Sequence, residues 1–281
     1  MKDLVKNSAR NTWQEFIEFP LPGRSQKPRT DGLTMVIDEG IGLAALKDLL
    51  RLAADYIDMI KLGFGTPALY KTEILREKIR VVRSFNIDIF PGGTFLEVAI
   101  YQEKLKEYIS LTASFGFTAI EVSDGTINLS DGARHTAITL AAEKGLKVFT
   151  EVGKKEPGNV LCFKDLLRLV KRDLNSGACR VIVEGRNPAK DVGLYDNNGR
   201  LIEFELEELV SALKDPSLLI WEAPKKEQQQ DLISRLGSNV NIGNVSPIDV
   251  IALEALRVGL RSDTLKQSTD VRRLTTVSVQ S

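Results

Sequence analysis

The sequence predicts a single (β/α)8 barrel. Three observations carry that prediction: eight short apolar runs, longer amphipathic stretches between them, and a length of 281 residues, which one barrel of roughly 250 residues would nearly fill. The runs are LTMVID (Leu33 to Asp38), YIDMIKLGFG (Tyr56 to Gly65), IDIFPGG (Ile87 to Gly93) and AIEVSDG (Ala119 to Gly125), then KVFTEVG (Lys147 to Gly153), RVIVEG (Arg180 to Gly185), LLIWEAP (Leu218 to Pro224) and VNIGNV (Val240 to Val245). Parallel strands covered on both faces read as nearly continuous apolar runs, and these do.

Between the runs, LKDLLRLAAD, EILREKIRVVRSF, LKEYISLTASFG, FKDLLRLVKRDLNSG and EQQQDLISRLG read as helices. Three of them stop at a glycine, Gly116, Gly177 or Gly237, as helix C-termini often do. The rival architecture, an open doubly wound sheet, usually has fewer strands and often a glycine-rich first βα turn, and no G-x-G-x-x-G occurs. The division expected is an N-terminal extension over 1–30, a barrel over 31–264 and a polar tail over 265–281. PLPGRSQKPRT (Pro20 to Thr30) reads as an extended lead-in, and the tail has the composition of a partly disordered end.

Composition narrows the partners. With 38 basic and 38 acidic residues the formal charge is zero, which argues against a nucleic-acid binder but leaves room for a local cationic pocket. No apolar run approaches the roughly 18 residues of a membrane span. MKDLVKNSARNTWQEF lacks the apolar core of a secretory signal, so the expectation is a cytoplasmic protein with no membrane partner. Cys162 and Cys179 have no metal-ligand spacing. Their number fits a reducing compartment, and Cys179, before an apolar run, is expected to be a small buried hydrophobe.

In a barrel the chemistry gathers at the C-terminal strand ends. The polar residues closing the runs are Asp38 and Glu39; Lys61; Gly92, Gly93 and Thr94; Glu121, Ser123 and Asp124; Glu151, Lys154 and Lys155; Glu184 and Arg186; Glu222 and Lys225; Asn241 and Asn244. Lys61, Glu121, Glu151, Glu184 and Glu222 lie inside their runs, where an isolated charge is costly without a partner or a metal. One such carboxylate is as often a helix cap or a surface ion pair. The repetition is what points to a site, because barrel interiors are normally filled with Val, Ile and Leu. Carboxylates mixed with lysines and an arginine suit an anionic substrate and a divalent cation with a preference for oxygen, Mg²⁺ among them.

Gly63, Gly65, Gly92 and Gly93 would let backbone N–H groups approach an anion, with Thr66 or Thr94 adding a hydroxyl. The one histidine, His135, falls in a helical stretch (ARHTAITLAAEKG) and is expected to lie on the surface or pack against a helix there. Without a second histidine a His-based triad or a typical zinc site is excluded, so acid–base work falls to Lys, Asp, Glu or Tyr. Trp221, inside the seventh run, is expected to pack.

Seven motifs, DYIDMIKLGFGT, FPGGTFLEVA, GFTAIEVSDGT, TEVGKK, VIVEGR, WEAPKKEQQ and VNIGNVSPIDVIALEALRVGLRSDT, together resemble phosphosulfolactate synthases, from about Leu33 to Thr264. The resemblance implies a (β/α)8 barrel that adds sulfite to phosphoenolpyruvate with Mg²⁺ as cofactor, giving (2R)-O-phospho-3-sulfolactate in the first step of a coenzyme M or sulfolactate route. It further implies a cytoplasmic homo-oligomer. The second lysine of the EVGKK motif, Lys155, becomes the acid that delivers a proton. Lys61 and Arg186 become candidates for phosphate or sulfite. Gly92, Gly93, Thr94, Ser123 and Lys154 complete the substrate-binding set, and Glu121, Glu151, Glu184 and Glu222 form the pool of metal ligands. Two departures stand out: Phe64 occupies a position where relatives often carry tryptophan, and NPAKDVGLYDNNG replaces a Ser-Gly-rich stretch after VIVEGR.

Two other readings compete. Lys61, in an apolar run, could serve a barrel lyase or aldolase as a Schiff-base amine. Heat-stress-associated plant proteins share the barrel without the coenzyme chemistry, but the intact GGT, SDG, EVGKK and EGR motifs favour retained catalysis.

Overall fold

A computed structural model describes residues 12–153, 163–184 and 209–265. Each of the eight runs contains one strand: β1 (Thr34–Asp38), β2 (Met59–Leu62), β3 (Asp88–Pro91), β4 (Ala119–Val122), β5 (Lys147–Val152), β6 (Arg180–Val183), β7 (Leu219–Glu222) and β8 (Ile242–Val245). All pairings are parallel, and β1 joins β8, so the order around the barrel is β3-β2-β1-β8-β7-β6-β5-β4. Thr118 bridges the seam between β3 and β4. Its N–H donates to the Ile89 carbonyl at 3.1 Å, and its hydroxyl accepts from the Ile89 N–H at 3.0 Å.

The helices are α1 (Leu43–Ala53), α2 (Thr72–Arg83), α3 (Gly93–Tyr101), α4 (Leu105–Phe115), α5 (Asp131–Glu143), α6 (Phe163–Asn175), α7 (Lys226–Leu236), α8 (Val250–Arg257) and α9 (Ser262–Leu265), and residues 209–212 are also helical. The stripe on α2, Leu75, Ile79 and Val82, recurs at helical spacing and is buried against the sheet. Each such side chain contributes about 1.5–3 kcal/mol by leaving water. Gly116, Gly177 and Gly237 end their helices with φ of +91°, +107° and +87°, a region in which a Cβ would be strained. Helix α3 departs from the expected pattern. It begins inside the glycine turn after β3, so two helices follow that strand.

Two apolar layers sandwich the strands. One lies between sheet and helices, and Trp221 packs there as expected. The other fills the barrel and takes residues from the strands in turn: Met35, Met59, Phe90, Ala119, Phe149, Ile182 and Ile220. Phe90 and Phe149 meet across it with ring centroids 5.1 Å apart. This plug leaves the C-terminal strand ends as the one polar layer above it.

The lead-in packs across the opposite end. Arg24 makes a two-pronged bond to Glu254 of α8 at 2.9 and 3.0 Å, Arg29 pairs with Asp58 just before β2, and Lys27 donates to the Ala54 carbonyl. Pro20 to Thr30 is thus tied to the barrel base, away from the polar layer. The polar tail from residue 266 lies outside the described residues. Among the described residues, no helix is long and apolar enough to cross a membrane. Cys179 corrects the sequence reading, because it is exposed. It sits in the turn just before β6, one residue ahead of both the apolar run and the strand.

Candidate active site

Side chains on a strand alternate between faces. Two residues beyond each member of the barrel plug, the next inward position is Ile37, Lys61, Gly92, Glu121, Glu151, Glu184 or Glu222. Four carboxylates and one ammonium therefore share a single layer, and all five are buried. Lys61 is its hub, with Nζ 3.0 Å from Glu121, 3.4 Å from Glu151 and 3.1 Å from Glu222. Burial alone would lower the Lys61 ammonium, but Glu121, Glu222 and Glu151 outweigh it and hold the pKa well above the ordinary 10.5. The resemblance makes Lys61 a candidate for anion binding. It does line the pocket, yet its charge is already shared among three carboxylates, so orienting them is the work its geometry shows.

Removing that hub has a calculable cost. Lys61→Met should lower stability by about 3–5 kcal/mol, because three carboxylates lose their buried counter-charge. Denaturant titration checks this, and the deficit should shrink at acid pH as a carboxylate takes up a proton. The sign for the native lysine runs the other way. A folded pKa raised above 10.5 gives stability that is fully present below that pH and is lost as pH climbs through the folded value.

Glu151, Glu184 and Glu222 each bring one carboxylate oxygen to within 4.8 Å of the others. Glu121 stands outside that trio. Its Oε1 accepts the Gly93 N–H at 2.8 Å while Oε2 faces Lys61.

Gly92 and Gly93 line the pocket, and their N–H groups are engaged within the protein. The Gly93 N–H is taken by Glu121, and the Gly92 N–H by the Leu62 carbonyl. A Cβ at Gly93 would lie 2.4 Å from Ser123 Oγ and 2.8 Å from Glu121 Oε1, so only glycine admits both. Ser123 is engaged likewise. Its hydroxyl donates to Glu97 of α3, which also accepts the Gly125 and Thr126 N–H groups, so Ser123 fixes the loop after β4. Thr94 does line the pocket, beside Glu39, Lys61, Phe64, Glu222 and Asn244, around a cavity of about 140 Å³.

Several strand-end candidates are structural. Asp38 pairs with the buried Lys78 of α2 at 2.6 Å and accepts the Gly40 and Ile41 N–H groups. Asn241 belongs to the other end of the barrel, where it accepts the Leu33 N–H and donates to the Ser217 and Leu219 carbonyls. His135 is exposed, with Nδ1 3.0 Å from Ser176 Oγ. Lys154, Lys155 and Arg186 lie outside the described residues.

Sequence reasoning missed Arg134. It is wholly buried, pairs with Asp173 and Asp124, and donates to the Glu151 carbonyl at 2.8 Å, fixing the end of β5. The signal was present. Arg134, Ala137, Ile138 and Ala141 form the buried face of α5, and Leu166, Val170 and Asp173 that of α6, so each apolar stripe carries one charge.

Comparisons with known proteins agree with this geometry. The sequence model of the (2R)-phospho-3-sulfolactate synthase family matches residues 22–263. The phosphosulfolactate synthase of Methanothermobacter thermautotrophicus is 41% identical over 250 residues, covering 88% of this chain and 96% of the relative. That of Bacillus subtilis is 37% identical over 246 residues, covering 87% and 96%. Among solved structures, phosphonopyruvate hydrolase superposes with a TM-score of 0.53 at 14% identity, over 89% of this chain and 88% of that one. Dihydrodipicolinate synthase from Agrobacterium tumefaciens does so with a TM-score of 0.53 at 12% identity, over 87% and 79%. At such identities these two speak to the barrel alone. The two synthases and the family match, spanning barrel and strand ends alike, place the chain in the phosphosulfolactate synthase family, enzymes of the carbon–sulfur lyase type.

Proposed function

We propose that this chain adds sulfite to phosphoenolpyruvate in a Mg²⁺-dependent reaction that gives (2R)-O-phospho-3-sulfolactate, the entry to a coenzyme M or sulfolactate route. The observation that carries this reading is the layer of four buried carboxylates around Lys61 at the strand ends of a chain from this family.

The donor set fits a hard divalent cation. Glu151, Glu184 and Glu222 offer only oxygen, which suits Mg²⁺ and not a soft metal. When bound, such an ion acts as a Lewis acid and offsets charge that builds on the substrate carboxylate. Lys61 keeps its proton and holds Glu151 and Glu222 in place. Arg134 fixes the end of β5 from behind.

In the reaction the sulfur lone pair forms a bond to the methylene carbon. The π pair of the alkene moves onto the carbon bearing the phosphate and its carboxylate. Lys155 then gives its proton to that carbon, setting the stereocentre and leaving a neutral amine. Both substrates are anions, so Lys154 and Arg186 are assigned to offset their repulsion, Arg186 through its two-pronged guanidinium.

The Schiff-base alternative loses ground here. It needs a neutral amine, whereas three carboxylates favour the charged form of Lys61. Incubating the purified full chain with phosphoenolpyruvate, sulfite and Mg²⁺ should yield a product with the mass of phosphosulfolactate. Folded protein that forms none of it would overturn the proposal.

A further inference from the structure

Strand β8 contains an extra residue. Thr34 of β1 lies opposite Ile242 and Val36 lies opposite Val245, so two steps on β1 face three on β8. Such a bulge redirects a side chain that regular alternation would send elsewhere. Ile242 and Val245 both point into the layer between sheet and helices. Gly243 points inward, since a Cβ there would lie 2.6 Å from Met35 Cε and 3.1 Å from Ile220 Cγ2. The inserted residue is Asn244. Regular alternation from Ile242 would turn it toward the helices, yet it lines the polar pocket instead.

Asn244 is held there at a cost. Its φ is +53°, the left-handed region, which asparagine tolerates better than most residues but glycine would occupy without strain. The residue is 8% exposed, and its side-chain Oδ1 has no hydrogen-bond partner among the described residues. Buried amide atoms are ordinarily satisfied, so an orphan on a pocket-lining residue points to a ligand. A strained backbone and an unsatisfied amide on one residue are what a preformed binding group looks like before its ligand arrives.

We infer that Asn244 is a substrate-binding residue that donates a hydrogen bond from its amide to an oxyanion oxygen. The inference rests on the proposed reaction for the identity of the anion. Both substrates of that reaction present acceptor oxygens, so the amide must offer Nδ2–H. A half-turn about the last side-chain bond exchanges its oxygen and nitrogen in nearly the same volume. The neighbouring pocket cation, Lys61, is engaged by glutamates, which leaves a neutral donor as the complementary contact on this side. The oxygen can belong to phosphoenolpyruvate or to sulfite, and separate measurements tell them apart.

Asn244→Gly deletes the amide and relieves the backbone, so the variant should fold at least as stably as the native chain. Asn244→Asp keeps the shape but sets a negative charge against the anion. With Mg²⁺ present, KM for one of the two substrates should rise at least tenfold in Asn244→Gly and further in Asn244→Asp, while KM for the other changes little. Direct titration with phosphoenolpyruvate alone and with sulfite alone should show the same loss in Kd. Native values in Asn244→Gly for both substrates, with kcat unchanged, would overturn the inference and leave the proposed reaction intact. A native chain that binds either anion but forms no phosphosulfolactate overturns the reaction, and weakened binding in Asn244→Gly would then still uphold the residue. A native chain that binds neither anion overturns both.

Discussion

Lys155→Ala is expected to lower turnover by about 10²–10⁴, the usual worth of acid–base catalysis, while fold and substrate binding change far less. An acid must hold a proton at working pH and reach the carbon it protonates. An ordinary lysine, titrating near 10.4, holds the proton but gives it up reluctantly. Lys155 stands two residues after Gly153, whose φ is +127° and whose Cβ, had it one, would lie 2.6 Å from Glu184 Cβ. The chain therefore leaves β5 hard against Glu184, one of the three clustered carboxylates. Steady-state kinetics with circular dichroism as the folding control decides the matter. Native turnover in the variant would remove Lys155 from the mechanism and turn attention to Lys154.

Chelation should abolish activity altogether. In the proposed reaction excess EDTA would remove a cation whose Lewis acidity is worth several kcal/mol of transition-state stabilisation, and added Mg²⁺ should restore the rate. Calcium, larger and a poorer Lewis acid, should restore less. Glu184→Gln and Glu222→Gln should each raise the Mg²⁺ concentration needed for half activation, because an amide oxygen carries no full charge. Glu121→Gln should do so much less, since Glu121 faces Gly93 and Lys61 rather than the trio. Full turnover in EDTA would remove the metal from the reaction, and equal effects at all three positions would dissolve the distinction between Glu121 and the other two.

The barrel was legible because each strand announces itself locally. An apolar run, its length and the amphipathic stretch after it are properties of neighbouring residues, and all eight strands fall inside the predicted runs. The carboxylate layer was legible for the same reason. A period of two places Glu121, Glu151, Glu184 and Glu222 one inward step above the plug residues Ala119, Phe149, Ile182 and Ile220. Helix α3 was obscured because its glycines read as a turn, and the burial expected of Cys179 failed because it lies one residue before β6, in the exposed turn after α6.

What the sequence determined by itself is which residues face inward and at which end of the barrel they stand. Only the tertiary structure decided how those residues are divided. It gave Glu121 to Gly93 and Lys61, clustered Glu151 with Glu184 and Glu222, turned Ser123 to Glu97, set Arg134 behind β5, and swung Asn244 into the pocket through an extra residue in β8. The physical reason is that such pairings join side chains as many as 161 positions apart, as between Lys61 and Glu222. Strand period fixes a side chain's direction. Its partner is set by the register of strands that meet only when the sheet has closed.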